Sequence, residues 1–149
     1  MTTIHFHFTS SLAPSEVRNV LTDFSPSRPA SWPSIDADRF VVHEIGDTWA
    51  VVTEGTAAAW ERARYEWDPT GDRVSILTEE SKLFGPGGGW VFQMTPEGNG
   101  SRVDVELTRN PTALKGRLLA LLLPLVGPST LRKSFREPLK VVDSKGGDK

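Results

Sequence analysis

With 17 basic and 19 acidic residues among 149, three histidines and a formal net charge of −2, the chain lacks the basic excess of a nucleic-acid binder. It has no cysteine, which excludes disulfides, thiol nucleophiles and thiolate metal sites and suits a reducing cytosol. The length fits one domain that buries roughly two-thirds of its unfolded surface, so a core needs no covalent staples.

The N-terminal "MTTIHFHFTSS" lacks the basic and then apolar segments of a signal peptide. The longest apolar run, Leu118 to Val126, contains Pro124 and falls well short of the roughly 20 residues that span a bilayer. A cytoplasmic protein without stable membrane insertion is expected. Ile4, Phe6 and Phe8 alternate with His5, His7 and Thr9, the period of a half-buried strand. In "LAPSEVRNVLTDF" Pro14 suits the first helical position and Glu16 the first turn. Val17, Val20, Leu21 and Phe24 repeat at helical spacing. "SPSRPASWPSID" is too rich in Pro and Ser for a long element and reads as a loop with one further helical turn carrying Trp32.

From Arg39 the pattern becomes a meander of strands near 39–45, 48–54, 59–67, 72–79, 89–95 and 101–109. Turns fall at "GD" (46–47), "PTGD" (69–72), "GPGGG" (85–89) and "PEGNG" (96–100), and such short connections imply antiparallel neighbours. Alternation assigns Phe40 and Val42, Trp49 and Val51, Val74 and Ile76, Trp90, Phe92 and Met94, and Val103, Val105 and Leu107 to one dry face. "TALKGRLLALLLPLVGPSTLRKSFREPLKVV" returns to helical text, bent or broken at Pro124 and at Gly127 with Pro128. A single domain over residues 1–143 is expected, with 144–149 a disordered tail.

The segment "WERARYEW", Trp60 to Trp67, leaves two parities open. In one, Trp60, Arg62 and Arg64 face inward, and each arginine needs a carboxylate, ordered water or an anionic ligand group there. In the other, Tyr65 and Trp67 face inward and both arginines stand in a solvated ladder.

The order strand, short helices, six antiparallel strands and long C-terminal helix resembles the helix-grip fold of the SRPBCC superfamily. That superfamily includes START lipid-binding domains, pollen-allergen-like proteins and aromatic polyketide cyclases. The resemblance is carried by "LAPSEVRNVLTDF", "SWPSID", "WERARYEWDP", "WVFQMTPEGNGSRVDVEL" and "LLPLVGPSTLRKSFREPLK", which together extend over nearly the whole chain. The last of these is similar to the end of the polyketide cyclase/dehydrase-like branch, where a Leu-Pro segment precedes a basic amphipathic helix. What the resemblance implies is an α+β architecture with short helices after strand one. A curved seven-stranded antiparallel sheet wraps around the C-terminal helix and leaves a hydrophobic cavity between them. The implied partner is a small hydrophobic ligand, with no cofactor, entering beside "SRPASWPSID" and "FGPGGG". Cavity candidates are Phe6, Trp32, Phe40, Val42, Trp49, Val51, Trp60, Arg62, Arg64, Trp90, Phe92, Met94, Val105, Leu107, Leu118, Leu122 and Phe135.

Five tryptophans and seven phenylalanines suit either an aromatic-walled cavity or an ordinary core. His5 and His7 on one strand and His43 on an expected neighbour point outward by parity, and no cysteine or well-placed carboxylate completes a metal set, so a solvated histidine cluster is the reading. "GPGGGW" lacks the phosphate-loop pattern and reads as turn freedom beside a pocket mouth. No Ser, His and Asp grouping has the context of a nucleophile. Arg132, Lys133, Arg136 and Lys140 form the solvated back of a helix whose Leu131, Phe135 and Leu139 meet the sheet, with transient membrane contact as the other use of that flank. Nothing sets an oligomeric state. Two functions stay open: binding of a lipid-like or polyketide-like molecule, and polyketide cyclase or dehydratase chemistry on an enclosed substrate. In the second, Arg62, Arg64 or Tyr65 would handle charge or protons.

Overall fold

The computed structural model describes residues 2–111 and 130–142. β1 (Thr2–Ser10) leads into α1 (Pro14–Leu21), a four-residue α2 (Arg28–Ser31) and a 3₁₀ turn over Ala37–Arg39. β2 (Val41–Ile45), β3 (Trp49–Gly55), β4 (Trp60–Trp67), β5 (Arg73–Ser81), β6 (Gly85–Glu97) and β7 (Gly100–Asn110) follow. α1 begins where Pro14 needs no amide partner, and the Glu16 carboxylate accepts the Ala13 N–H at 2.8 Å, closing the first turn.

All seven strands form one antiparallel sheet in the order β1-β7-β6-β5-β4-β3-β2. β2 to β7 are a simple meander, because each connection is too short for anything but a neighbour. β1 pairs with the far end of that meander, Phe6 opposite Val105 and Phe8 opposite Val103. The histidine expectation is corrected here: β1 and β2 are the two edges of the sheet, so His43 lies across it from His5 and His7 and bonds Thr53 instead.

Side chains alternate between two faces. The inner face carries the core: Ile4, Phe6 and Phe8, Ala50 and Val52, Ala63 and Tyr65, Val74 and Ile76, Phe92 and Met94, and Val103, Val105 and Leu107. Against it pack Val17 and Leu21 of α1, Phe24, Trp32 and Ile35 of the connecting segment, and Phe135 and Leu139 near the C-terminus. Two further boundaries differ from expectation. "GPGGG" opens β6 instead of forming a turn, and a bulge between Val42 and Glu44 disturbs β2, whose five residues are all exposed.

Residues 130–135 are helical, and Phe135 is their anchor. Its ring lies 5.6 Å from Phe8, 5.7 Å from Phe92, 5.9 Å from Trp90, 6.1 Å from Trp32 and 6.3 Å from Phe6. Arg132 donates to the His7 carbonyl on the β1 edge, and the buried Ser10 hydroxyl donates to the Leu139 carbonyl. The segment is therefore held to β1 by backbone acceptors as well as by rings. The expected helix over 112–129, with Leu118 and Leu122, and the tail 144–149 lie outside the described residues.

Phe135→Ala removes the ring that five others surround. The expected loss is about 3–5 kcal/mol, read as a lower chemical-denaturation midpoint without a change in slope.

Candidate functional site

Two buried ion pairs are built on the inner face. Arg28 stands in α2 with its side chain 3% exposed. Its Nε donates to Glu54 of β3 at 2.8 Å, its Nη2 to the Tyr65 hydroxyl of β4 at 3.1 Å, and its Nη1 to the Leu21 and Asp23 carbonyls at 3.1 and 2.9 Å. The Tyr65 hydroxyl in turn donates a short hydrogen bond to the second Glu54 oxygen. The guanidinium also lies 4.8 Å from the Phe24 ring centroid and 5.5 Å from that of Trp32. Such a charge is tolerable inside a protein because nearly every donor is used and the opposite charge is adjacent. Burial, followed by the Glu54 charge, pushes the Tyr65 phenol well above its ordinary pKa against the opposing pull of Arg28, so it stays a proton donor at neutral pH.

Arg109 of β7 makes the second pair. Its Nη1 and Nη2 donate to the two Glu61 oxygens at 3.1 and 3.3 Å, and the Thr78 hydroxyl donates to Glu61 at 2.7 Å. Reaching β4 from β7 means crossing β6 and β5. The β6–β7 register jumps from Gly85↔Asn110 to Gly89↔Thr108, so Arg109 passes a bulged stretch whose residues 87–89 are glycines without side chains. Gly89 itself runs so close to β5 that a Cβ would sit 1.8 Å from the Ile76 carbonyl. Burial raises the Glu61 pKa, but the Arg109 charge and the Arg109, Thr78 and Trp90 donors outweigh it and hold the carboxyl below its ordinary value.

Glu54 and Glu61 are directly opposed across β3 and β4, and each therefore needs its own arginine. Between these pairs and the C-terminal segment the described residues leave a cavity of about 330 Å³. Its apolar wall is Leu21, Trp32, Ile35, Ile76, Trp90, Phe92, Leu131 and Phe135, and Arg28, Glu54, Tyr65, Glu61 and Arg109 form a polar strip along one side.

Of the expected cavity residues, Trp32, Trp90, Phe92 and Phe135 line this space. Phe6, Met94, Val105 and Leu107 belong to the solid core beside it, and Phe40 packs at the core's margin. Several positions are corrected. Trp49 is opposite Glu66 and Val51 opposite Arg64, which puts both on the outer face, where Arg64 lies 4.5 Å over the Trp49 ring. Val51 is buried there, outside the core cluster. Val42 is exposed because β2 ends the sheet and is bulged. Trp60 shares the outward parity of Arg62 and Arg64, which pair with Glu79 and Glu66 in solvent. The parity with Tyr65 and Trp67 inward is the one observed.

Of the internal polar groups Tyr65 was among the candidates, whereas Arg28, Glu54, Glu61 and Arg109 were missed, although one signal for Arg28 stands in the sequence. Phe24, Arg28 and Trp32 repeat at four-residue spacing inside text that Pro and Ser mark as loop. Among the described residues no group of three or more His, Asp or Glu is placed to hold a metal, and no helix is long and apolar enough to cross a membrane.

No family model and no curated protein matches the sequence. Solved structures do match. The Thermus thermophilus protein TTHA0849 superposes with a TM-score of 0.74 at 17% identity, covering 93% of this chain and 94% of that one. A START superfamily protein from Mycobacterium smegmatis gives 0.73 at 11% identity, over 94% and 98% of the two chains. The di-domain ARO/CYC StfQ of the steffimycin biosynthetic pathway gives 0.72 at 13% identity, over 93% of this chain and 50% of that one. At these identities the likeness is one of fold: the chain shares the helix-grip fold of these structures.

Arg28→Met strands the Glu54 carboxylate beside a buried phenol, and the expected cost is about 3–5 kcal/mol by chemical denaturation. Arg62→Met and Arg64→Met remove solvated partners and should each cost less than about 1 kcal/mol. Because the native Glu61 pKa lies below its ordinary value near 4.5, its contribution is complete above that value and is lost as pH falls through the native one. The stability gap between the parent and Glu61→Gln should accordingly be flat down to about pH 5 and narrow below it, measured by denaturation across pH.

Proposed function

We propose that the protein binds a small hydrophobic molecule, of lipid-like or polyketide-like character, in the cavity between the sheet and the C-terminal segment. The observation that carries this reading is an aromatic-walled space of about 330 Å³ on the inner face of the sheet, beside the buried core. That volume is at the lower end of small-molecule sites, roughly 300–1,000 Å³, and suits a ligand of two or three fused rings or a short bent chain. Trp32, Trp90, Phe92 and Phe135 supply flat, stiff contact area at little entropic cost.

A second reading, cyclase or dehydratase chemistry on an enclosed substrate, has a specific observation in its favour. Tyr65 is a phenol kept protonated in the cavity wall beside a carboxylate and a guanidinium, a set able to polarise a carbonyl and shuttle a proton. Its hydroxyl already donates to Glu54, however, and Arg28 is spent on Glu54, Tyr65 and backbone carbonyls. Catalysis would require the substrate to redirect that hydrogen bond. Binding requires no rearrangement, and it is the reading we adopt.

Native mass spectrometry of the purified protein should show a co-purified small molecule. An uncharged apolar probe at about 100 times its Kd should raise Tm by roughly 5–10 °C through mass action. No adduct, together with no shift from any of several probes of different shapes, would overturn the reading.

A further inference from the structure

The strip of charge in the cavity wall restricts the chemistry of the ligand. We infer that the site selects neutral ligands bearing a hydrogen-bond donor, such as a phenolic or alcoholic hydroxyl, which Glu54 accepts, and that it discriminates against carboxylates. This inference rests on the binding reading above.

The argument is one of unspent capacity. Arg28 and Tyr65 are each 3% exposed, and their polar atoms are committed to Glu54, to one another and to the α1 carbonyls. Within the polar strip they are the most deeply buried members. The carboxylates come forward of them, with side-chain exposures of 13% for Glu54 and 19% for Glu61. Glu54 accepts from Arg28 and Tyr65, and Glu61 accepts from Thr78 and twice from Arg109. A carboxylate offers about four lone-pair directions; the Trp90 donor completes four at Glu61, so it is Glu54 that retains room for another donor. Arg109 is 12% exposed, but both its Nη atoms point at Glu61, and its plane is covered by Phe84 at 5.2 Å and Trp90 at 5.6 Å. An incoming carboxylate would meet Arg109 only beside Glu61, which already holds both Nη atoms, so the hydration it gives up would go uncompensated.

Charge balance decides between a neutral donor and a cation. Two arginines neutralise two glutamates, which leaves no net field to draw an ammonium group out of water. A hydroxyl loses far less hydration on entry and gains a charge-assisted hydrogen bond.

Four probes of one shape test this at neutral pH: naphthol, methylnaphthalene, naphthoate and naphthylmethylammonium, with binding followed by tryptophan fluorescence and calorimetry. Naphthol should bind about tenfold more tightly than methylnaphthalene, as expected for a hydrogen bond to a charged group, and both ionic probes should bind more weakly than methylnaphthalene. Glu61→Gln, its fold checked by circular dichroism, should gain naphthoate affinity by about tenfold because Arg109 is released. Glu54→Gln keeps Arg109 paired, should gain no naphthoate affinity, and should lose the preference for naphthol over methylnaphthalene. If naphthoate or the ammonium probe binds the parent protein as tightly as naphthol, or naphthol only matches methylnaphthalene, the selectivity inference is wrong while the cavity stands. Failure of all four would overturn the binding reading as well. The parent series decides the question even if a variant does not fold.

Discussion

A guanidinium buried to 3% exposure is the constraint around which one end of the molecule is arranged. Arg28 leaves water at high cost and recovers it only by meeting Glu54, Tyr65 and the carbonyls beyond α1 together. Those carbonyls belong to the groups a helix leaves unpaired at its C-terminal end, so the same side chain that balances Glu54 also closes α1. The consequence is geometric. The path of the chain from Leu21 to Trp32, the depth of the α1 end and the inner edge of β3 and β4 are all set by one planar fork. Phe24, Trp32 and Tyr65 then close around it, their ring faces 4.8 to 5.6 Å from its centre.

The other end of the cavity is held by a different force. Phe135 packs dispersively against rings from β1, β6 and the segment after α2, and no charge is involved. Near it the core is solid at Phe6, Met94 and Val105, whereas toward Glu54 and Glu61 the wall is polar and the packing opens.

The six-stranded meander, β1 and the first helix were legible because each rests on local signals: Pro14 and Glu16 at a helix start, alternation in Phe6 and Phe8, turn residues at 69–72. The faces of β3 and β4 were not. In Trp49 and Val51 the larger apolar residues point outward, while the inner positions are Ala50, Val52 and then Glu54, so hydrophobic size misreported the parity. On β4 both readings offered one tryptophan each, and only the cross-strand register distinguishes them. Arg28 was invisible for a related reason. It sits among Pro and Ser in apparent loop text, and its partners Glu54 and Tyr65 are 26 and 37 residues away, beyond any spacing rule.

The glycines of "GPGGG" show how a local feature acquires meaning only in register. As sequence they signal a turn, yet they lie within β6 at the level of Arg109. A Cβ on Gly88 would sit 2.3 Å from the Thr108 carbonyl, beside Arg109. Gly89 adds a second requirement, since its backbone approaches the Ile76 carbonyl more closely than any Cβ permits. Glycine here lets β6 lie close against its neighbours where Arg109 leaves β7: the arginine neutralises Glu61, and the neutralised Glu61 can stand opposite Glu54 on the wall of an apolar cavity.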